Sequence, residues 1–480
     1  MKAAKSAVKL ICFIGIFVLL FLYVQEILRD KWMEGEYDPS VKIKGFYAEE
    51  ENSLDVIFIG SSQVYADIAP AVLYEEYGIA SYDFCANEQP LSVSYYYIKE
   101  ALRTQTPRVI VLDVFTVYAE GYEEEGQVHQ NLDDMPFSYN KLCAIWDSVP
   151  ADMRYSYYFP LAKYHNTWTD LYQGKAVYGF YHERDPYKGW SPFVYPAPFE
   201  AGAPARLEVA GQKESTPIPD YAKEWLYKII DLCKEENVPL LLIKTPNGNG
   251  ERQKLYNSVA ELAFETDTPF VNMNVIFDGQ AHINVLHAEK VTSYLGEYLV
   301  SHYDLPDRRM DPAYASWGED AALFYRQKAK CSLLVAEDFS EYIPLLSDEN
   351  FVVCISAKNS AGNPFSKEDM ELLNEALGLH CQLGETPSGA YCAVIDGGEV
   401  LYETDEPGKA QDTAETTTSD LSIQVISSGM AAEESSAIFI NGTDFSLDVN
   451  GFNIAVYDKV LGEVFEMSAF DLDAGMRLVR

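Results

Sequence analysis

Every residue from Leu10 to Val24 is apolar (LICFIGIFVLLFLYV), and continuing through Leu28 gives 19 residues. At 1.5 Å per residue that run is about 28 Å long, enough to cross a bilayer. Lys2, Lys5 and Lys9 precede it, which keeps the N-terminus cytoplasmic and puts the remaining chain outside, with Arg29 and Lys31 as a weaker opposing bias. No small-residue cleavage site follows, and Ile11 before Cys12 is too large for lipoprotein processing. Residues 1–30 therefore read as an uncleaved signal anchor. A cleaved signal peptide is the alternative, and it leaves the compartment unchanged. Residues 31–50 are polar, with Gly35, Pro39 and Gly45, and read as a short stalk.

Beyond the stalk, short apolar runs alternate with helical patterns. Leu54–Gly60, Arg108–Val114, Val238–Thr245 and Pro269–Val275 read as buried parallel strands. Ser92–Thr104, Asp220–Asn237, Lys254–Thr266 and His287–Tyr303 read as helices. The alternation predicts an α/β fold with a parallel sheet flanked by helices over residues 51–303. Residues 120–218, aromatic and rich in Pro and Gly, interrupt it as an insertion of the lid or substrate-binding kind. Prolines and charges at Asp304–Pro312 mark a linker, taken as 304–318. A second, mixed α/β domain, 319–480, follows. Its expected strands are CSLLVA, FVVCIS, YCAVIDGG, EVLYE, SAIFING and FNIAVYD. A capping box at Ser366–Asp369 starts its helix, and Gly378 stops it. The acidic, Thr-rich stretch Glu403–Asp420 reads as a mobile loop.

Length and charge narrow the partners. At roughly 150 residues per domain, 480 residues exceed one core. Asp+Glu 74 against Lys+Arg 36 gives a net charge of −38, a field that repels phosphate backbones, so nucleic acid is not expected as a partner. The eight scattered cysteines contain no C-x-x-C pair, which argues against a zinc site or a dense disulfide framework and leaves one C-terminal disulfide open. No metal or cofactor is implied.

Candidate chemistry lies at two strand ends. Gly60-Ser61-Ser62 falls where the first strand gives way to a turn, with Pro70 opening and Gly78 closing the helix downstream. A serine there leaves the C-terminal edge of a parallel sheet, the ligand edge of open α/β folds, where backbone N–H groups stabilise an oxyanion. Asp278-Gly-Gln-Ala-His282 follows the last strand and returns an acid and a base to that edge, the pair a serine nucleophile requires. Taken singly, each has a plainer reading: a structural turn for Ser62, a helix-capping surface residue for His282.

These segments, DVIFIGSSQVY, SYDFCANEQPLSVSYYYIKEAL, PRVIVLDV and FDGQAHINVLHAEKVTSYLGEYL, resemble the SGNH (GDSL-like) hydrolases over roughly residues 50–303. The likeness is to the membrane-anchored branch with DltD-type and alginate-acetylation-type proteins. The resemblance implies a flavodoxin-like sheet, Ser62 as nucleophile, His282 as base and Asp278 as acid, with Ser61 at the aspartate position of the G-D-S form. It also implies a cell-envelope glycan or acylated polymer as substrate, and a membrane O-acyltransferase as neighbour if the reaction is acyl transfer. Departures are a one-residue longer Asp278–His282 spacing, Cys85 in place of the glycine that supplies an oxyanion donor, and Asp113-Val-Phe where soluble members have G-x-N-D. Asn87 is the substitute oxyanion donor, and His287 reads as a helix-start residue. In the insertion, His165 and Trp168 receive no catalytic role. Ser435–Asp471, with Asn450, Gly451, Asn453, Gly462 and Phe470-Asp471, resembles the core of an ILEI-type domain, and FVVCISAKNSAGNPFSKEDMELLNEALGL its other half in permuted order. That likeness implies glycan tethering, against a plain spacer role. His380 is expected to be structural. The opposed functional reading is a non-catalytic envelope protein that binds glycan or scaffolds an acylation complex.

Overall fold

The computed structural model describes residues 2–29, 39–122, 125–169, 183–196, 205–206, 214–246, 252–274, 282–358, 366–381, 389–404, 409–429 and 435–480. The chain divides into two compact units, one of residues 1–193 and 199–324 and one of residues 194–198 and 325–480.

The first unit begins with α1 (Lys2–Leu28). Its stretch Lys5–Leu28 is the one helix among the described residues long and apolar enough to cross a membrane. The stalk expected at 31–50 is not a stalk from Pro39 on. There α2 (Pro39–Ala48) buries Ile43 and Phe46, and the Phe46 ring stacks on Phe84 at 3.9 Å. Ser40, Lys42 and Lys44 are buried as well, so the polar residues that suggested exposure are enclosed around this helix instead of facing water.

Next come β1 (Val56–Ile59), α3 (Ser62–Asp67), α4 (Pro70–Tyr77), β2 (Ser81–Asp83), α5 (Leu91–Thr104) and β3 (Val109–Asp113). Helices α6 (Glu125–Leu132), α7 (Tyr139–Ser148), α8 (Arg154–Tyr158) and α9 (Leu161–Tyr164) belong to the insertion. The core resumes with α10 (Asp220–Glu235), β4 (Leu240–Lys244), α11 (Gln253–Glu265), β5 (Phe270–Asn274) and α12 (Val285–His302). The five strands are parallel in the order β2-β1-β3-β4-β5, and the two-residue strand Ala205–Arg206 pairs antiparallel with β5. Strands β1 to β4 are buried at every position, because helices cover both faces; that is why they read as continuous apolar runs instead of alternating ones. This strand order reverses direction between β1 and β3, the place where open α/β sheets form a ligand crevice outside the strand C-termini. Pro70 opens α4, and Gly78, at φ 70°, ends it.

Residues 304–318, expected as a linker, pack onto this unit. Arg308 grips Asp55 through two bonds of 2.8 and 2.9 Å, and the Tyr314 hydroxyl donates to the Ser53 carbonyl at 2.8 Å. The chain then enters α13 (Ala315–Val335). Cys331–Val335 of the expected strand CSLLVA therefore lie in a helix. Burial at Trp317, Ala321, Phe324 and Cys331 follows intervals of four, three and seven, the helical repeat, and a six-residue apolar run is too short to decide between the two.

The second unit is a ten-stranded mixed sheet built around β6 (Phe351–Lys358). Strands Tyr391–Asp396 and Gly451–Asp458 flank it, both antiparallel. Helix Lys367–Leu377 begins at the capping box of Ser366 and Asp369 and stops at Gly378, φ 68°. Much of the expected mobile loop is ordered: Gln411–Thr418 pairs along its length with Leu421–Ser428, its Thr-rich sequence being good strand sequence with an exposed face. No disulfide forms among the described cysteines.

Candidate active site

The C-terminal edge of the parallel sheet is assembled from three strand ends. After β1 the chain passes through Gly60, where a Cβ would lie 2.7 Å from the Val64 side chain and 2.9 Å from the Asp113 Cβ. Only glycine lets β1 and β3 end this close together. Ser61 then caps α3, its hydroxyl accepting from the Gln63 N–H at 3.4 Å, and Ser62 is the first helical residue. Ser62 is only 6% exposed, and its hydroxyl makes no hydrogen bond among the described residues. The first-turn N–H groups of a helix have no intrahelical acceptor.

His282 comes to the same helix from 219 residues further along the chain than Gln63. Its Nδ1 lies 3.1 Å from the side-chain amide of Gln63, and its ring sits between Tyr65 and Phe193, with centroids 6.4 and 4.8 Å away. Burial pushes its pKa down to about 4, so it is neutral at pH 7. The O and N of an amide are assigned by their partners. Gln63 Nε2 faces Nδ1; only the turned amide, with Oε1 toward the ring, lets Nδ1–H donate and leaves the ring Nε2 the lone pair that a general base needs. One turn further along α3, the fully buried Asp67 accepts the Ile283 N–H at 3.4 Å, and Thr292 of α12 accepts from the Ala69 N–H at 2.9 Å. Helix α3 is therefore tied to both the histidine and the helix behind it.

A strap from the insertion completes the edge. Lys188 O accepts from the Asp83 N–H at 2.9 Å, Ser191 N–H donates to Tyr65 O at 2.7 Å, and Phe193 O accepts from the Val285 N–H at 3.0 Å. The Trp190 indole donates to Ala66 O at 3.2 Å. Three elements, the end of β2, α3 and the start of α12, are thus bound to one short segment.

Charge at this edge is kept low by burial. Asp113 accepts from the N–H and hydroxyl of Thr245, both at 3.2 Å, and from the Phe115 N–H at 3.1 Å, yet burial still lifts its pKa to about 6. Asp67 and Asp83 are raised well above the ordinary carboxylate range, also by burial, and Lys244 is lowered for the same reason.

The structure treats the expected site residues unequally. It brings Ser62 and His282 to one helix, with Gln63 as the histidine's described partner. Asp278 lies outside the described residues. Cys85 is fully buried, its sulfur 3.6 Å from the Asp83 carbonyl and against the Tyr65 N–H, with its thiol pKa raised by burial. Asn87 donates its amide to Gln127 of α6 at 2.7 Å and accepts from Asn131 through its carbonyl at 2.9 Å. His287 folds back on the Asn284 helix cap, Nδ1 2.6 Å from Asn284 Oδ1, the helix-start position expected of it. In the second unit His380 is exposed beside Glu403. Sequence reading missed Gln63, Asp67 and the strap; the one available signal was the polar run Ser61-Ser62-Gln63 directly after an apolar strand, which the structure buries.

A cleft of about 630 Å³ lies at the opposite edge of the sheet, beside Asp55, Arg108, Pro239 and His302. It holds no serine or cysteine, and the His302 ring stacks on Tyr298 at 3.9 Å. Among the described residues no cluster of His, Cys, Asp or Glu is arranged to hold a metal. Comparison with protein-family models, curated proteins and solved structures finds no match.

Proposed function

We propose that the first unit is a membrane-anchored, extracytoplasmic serine esterase or O-acyltransferase of SGNH type, acting on a cell-envelope polysaccharide or teichoic acid. The observation that supports it most is the meeting, at the switch point of the sheet, of a serine on the first turn of α3 and a neutral histidine held to the same helix through Gln63. In this reading Ser62 Oγ attacks the acyl carbonyl carbon while His282 Nε2 takes its proton. The tetrahedral oxyanion is met by the Ser62 N–H, since the N–H groups of Gln63 and Val64 donate to Ser61 and that of Tyr65 faces the Cys85 sulfur. The C–O bond to the leaving alcohol breaks as His282 returns the proton to it, leaving an acyl-serine. Water or a sugar hydroxyl then accepts the acyl group by the same steps in reverse order. Fluorophosphonate labelling of the folded chain is the test, and a wild-type protein that takes no label sinks the proposal.

The pH profile carries a second test. Only the neutral imidazole can accept the serine proton, and burial holds the pKa of His282 near 4. The labelling rate is therefore expected to stay level from neutral pH down to about pH 5 and to fall through a midpoint near 4, where an unperturbed histidine would fall near 6.5. A midpoint above 6 would mean that His282 is not the base, or is not buried during reaction.

Gln63 acts in this scheme as a positioning residue. Gln63→Ala is expected to lower kcat on the order of 10²-fold with KM little changed, by freeing the ring orientation. Gln63→Glu sets a carboxylate against the ring, favours the charged imidazole and should move the acid midpoint upward. An unmoved midpoint in Gln63→Glu would show that the contact does not govern His282.

One group of observations favours the competing reading, a non-catalytic glycan-binding or scaffold protein. The amide of Asn87 is engaged by Gln127, and the described contact of the His282 ring nitrogen is to Gln63, not Ser62. The second unit is proposed as glycan tether or spacer on its ILEI-type resemblance.

A further inference from the structure

We propose that the insertion helices α7 to α9 seat the first unit in the outer leaflet of the bilayer, with aromatic side chains entering the lipid beside α1. The proposal rests on reading α1 as a membrane span. The end of α1 is fixed to the insertion: Arg29 reaches Asp134 at 2.8 Å with both side chains buried, and the Thr167 hydroxyl donates to Leu28 O. The contact continues back along the apolar helix, where the Phe21 ring meets the Phe159 ring at 6.4 Å.

Length decides what that contact means. Lys5–Leu28 has 24 residues, about 36 Å of helix against a hydrocarbon core of about 30 Å. If the membrane ended where the insertion begins to touch, at Phe21, only residues 5–20 would remain inside, 16 residues or about 24 Å. The apolar helix would then be too short for the bilayer, and more so because Lys5 and Lys9 stand at its inner end. A bilayer that is not thinned to meet so short a helix extends past Phe21, which sets Phe159 against lipid.

The side chains around Phe159 suit that place. Tyr155 of α8 and Phe159, the residue that ends this helix, are 61% and 55% exposed, and Trp146 and Trp168 are 62% and 64% exposed. Arg154 stacks on the Trp146 ring at 4.2 Å, which ties Trp146 to the start of α8, and Trp168 follows the residue bonded to the end of α1. Tryptophan and tyrosine with an adjacent arginine are the residues of the headgroup boundary, where rings bury an apolar body and keep a polar edge wet. At a net charge of −38 the chain gains little from anionic headgroups, so the attraction is through the rings, and a zwitterionic lipid should suffice.

The test uses the full chain, carrying Trp32→Phe to remove the tryptophan that follows the span, in phosphatidylcholine vesicles with or without acyl chains brominated near the headgroup. Trp190, Trp225 and Trp317 are buried in the protein and form the unquenched reference. Emission is expected to fall with brominated lipid by at most about the share of two tryptophans in five, and the Trp146→Phe, Trp168→Phe double variant should lose that difference. Protein that floats with the vesicles yet shows the same quenching in the double variant, or none in either, overturns the seating while leaving the span intact. Protein that does not float overturns the span and the seating together.

Discussion

Ser62→Ala is expected to abolish fluorophosphonate labelling and to lower hydrolysis of a small acetyl ester by about 10³-fold or more, with any residual rate coming from the oxyanion site and binding. The expected loss is large because the reaction depends on one oxygen. Alanine leaves no atom to form the acyl intermediate, and water at that position lacks the orientation that α3 gives the hydroxyl. The variant should nevertheless fold. Ser62 makes no side-chain hydrogen bond among the described residues, and alanine is the better helix former, so the change in stability should stay within about 1 kcal/mol. His282→Ala should cost nearly as much in rate, and the double variant little more, because the two residues act as one unit. Label retained on Ser62→Ala would place the nucleophile elsewhere. A wild-type enzyme and variant with equal ester activity would favour the scaffold reading.

What the sequence made legible was what local pattern controls. Strands β1, β3 and β4 announced themselves because both faces are covered and each became an apolar run, and α10 and α12 because one buried side repeats at helical spacing. The Gly60-Ser61-Ser62 turn was legible because a close approach demands glycine just where an apolar strand ends. Errors arose where local pattern is ambiguous. Cys331–Val335 is apolar enough for a strand but continues a helix set by Trp317, Ala321 and Phe324, and the polar, Thr-rich Gln411–Thr418 needed its partner Leu421–Ser428 to become a strand. The partner of His282 was the least legible feature. The chain offered Asp278 by proximity in sequence, a residue outside those described; Gln63, a partner of His282 in the structure, is 219 residues away and is brought in by the closing of α3 against the start of α12.

Gly189→Ala is expected to destabilise the first unit by about 3–5 kcal/mol, from left-handed strain and lost buried hydrogen bonds together, and to suppress labelling of Ser62 even in the fraction that stays folded. Gly189 has φ +90°, and a Cβ there would lie 2.2 Å from the Asp83 carbonyl oxygen. That neighbour is backbone, so no rotamer change relieves the overlap; the strap must lift from the end of β2. Lifting stretches the bond from Asp83 N–H to Lys188 O, 2.9 Å, and the bond from Gly189 N–H to the buried Asp185 carboxylate, 2.8 Å. The same segment holds α3 through Ser191 and Trp190 and leans Phe193 on the His282 ring. Displacement at residue 189 is therefore passed to both proposed reacting side chains. Gly121→Ala is the control, since nothing lies within 4 Å of the added methyl and its φ is ordinary; thermal melts and labelling should match wild type. If Gly189→Ala melts and labels like Gly121→Ala, the strap does not hold the edge of the sheet, and the site is ordered by α3 and α12 alone.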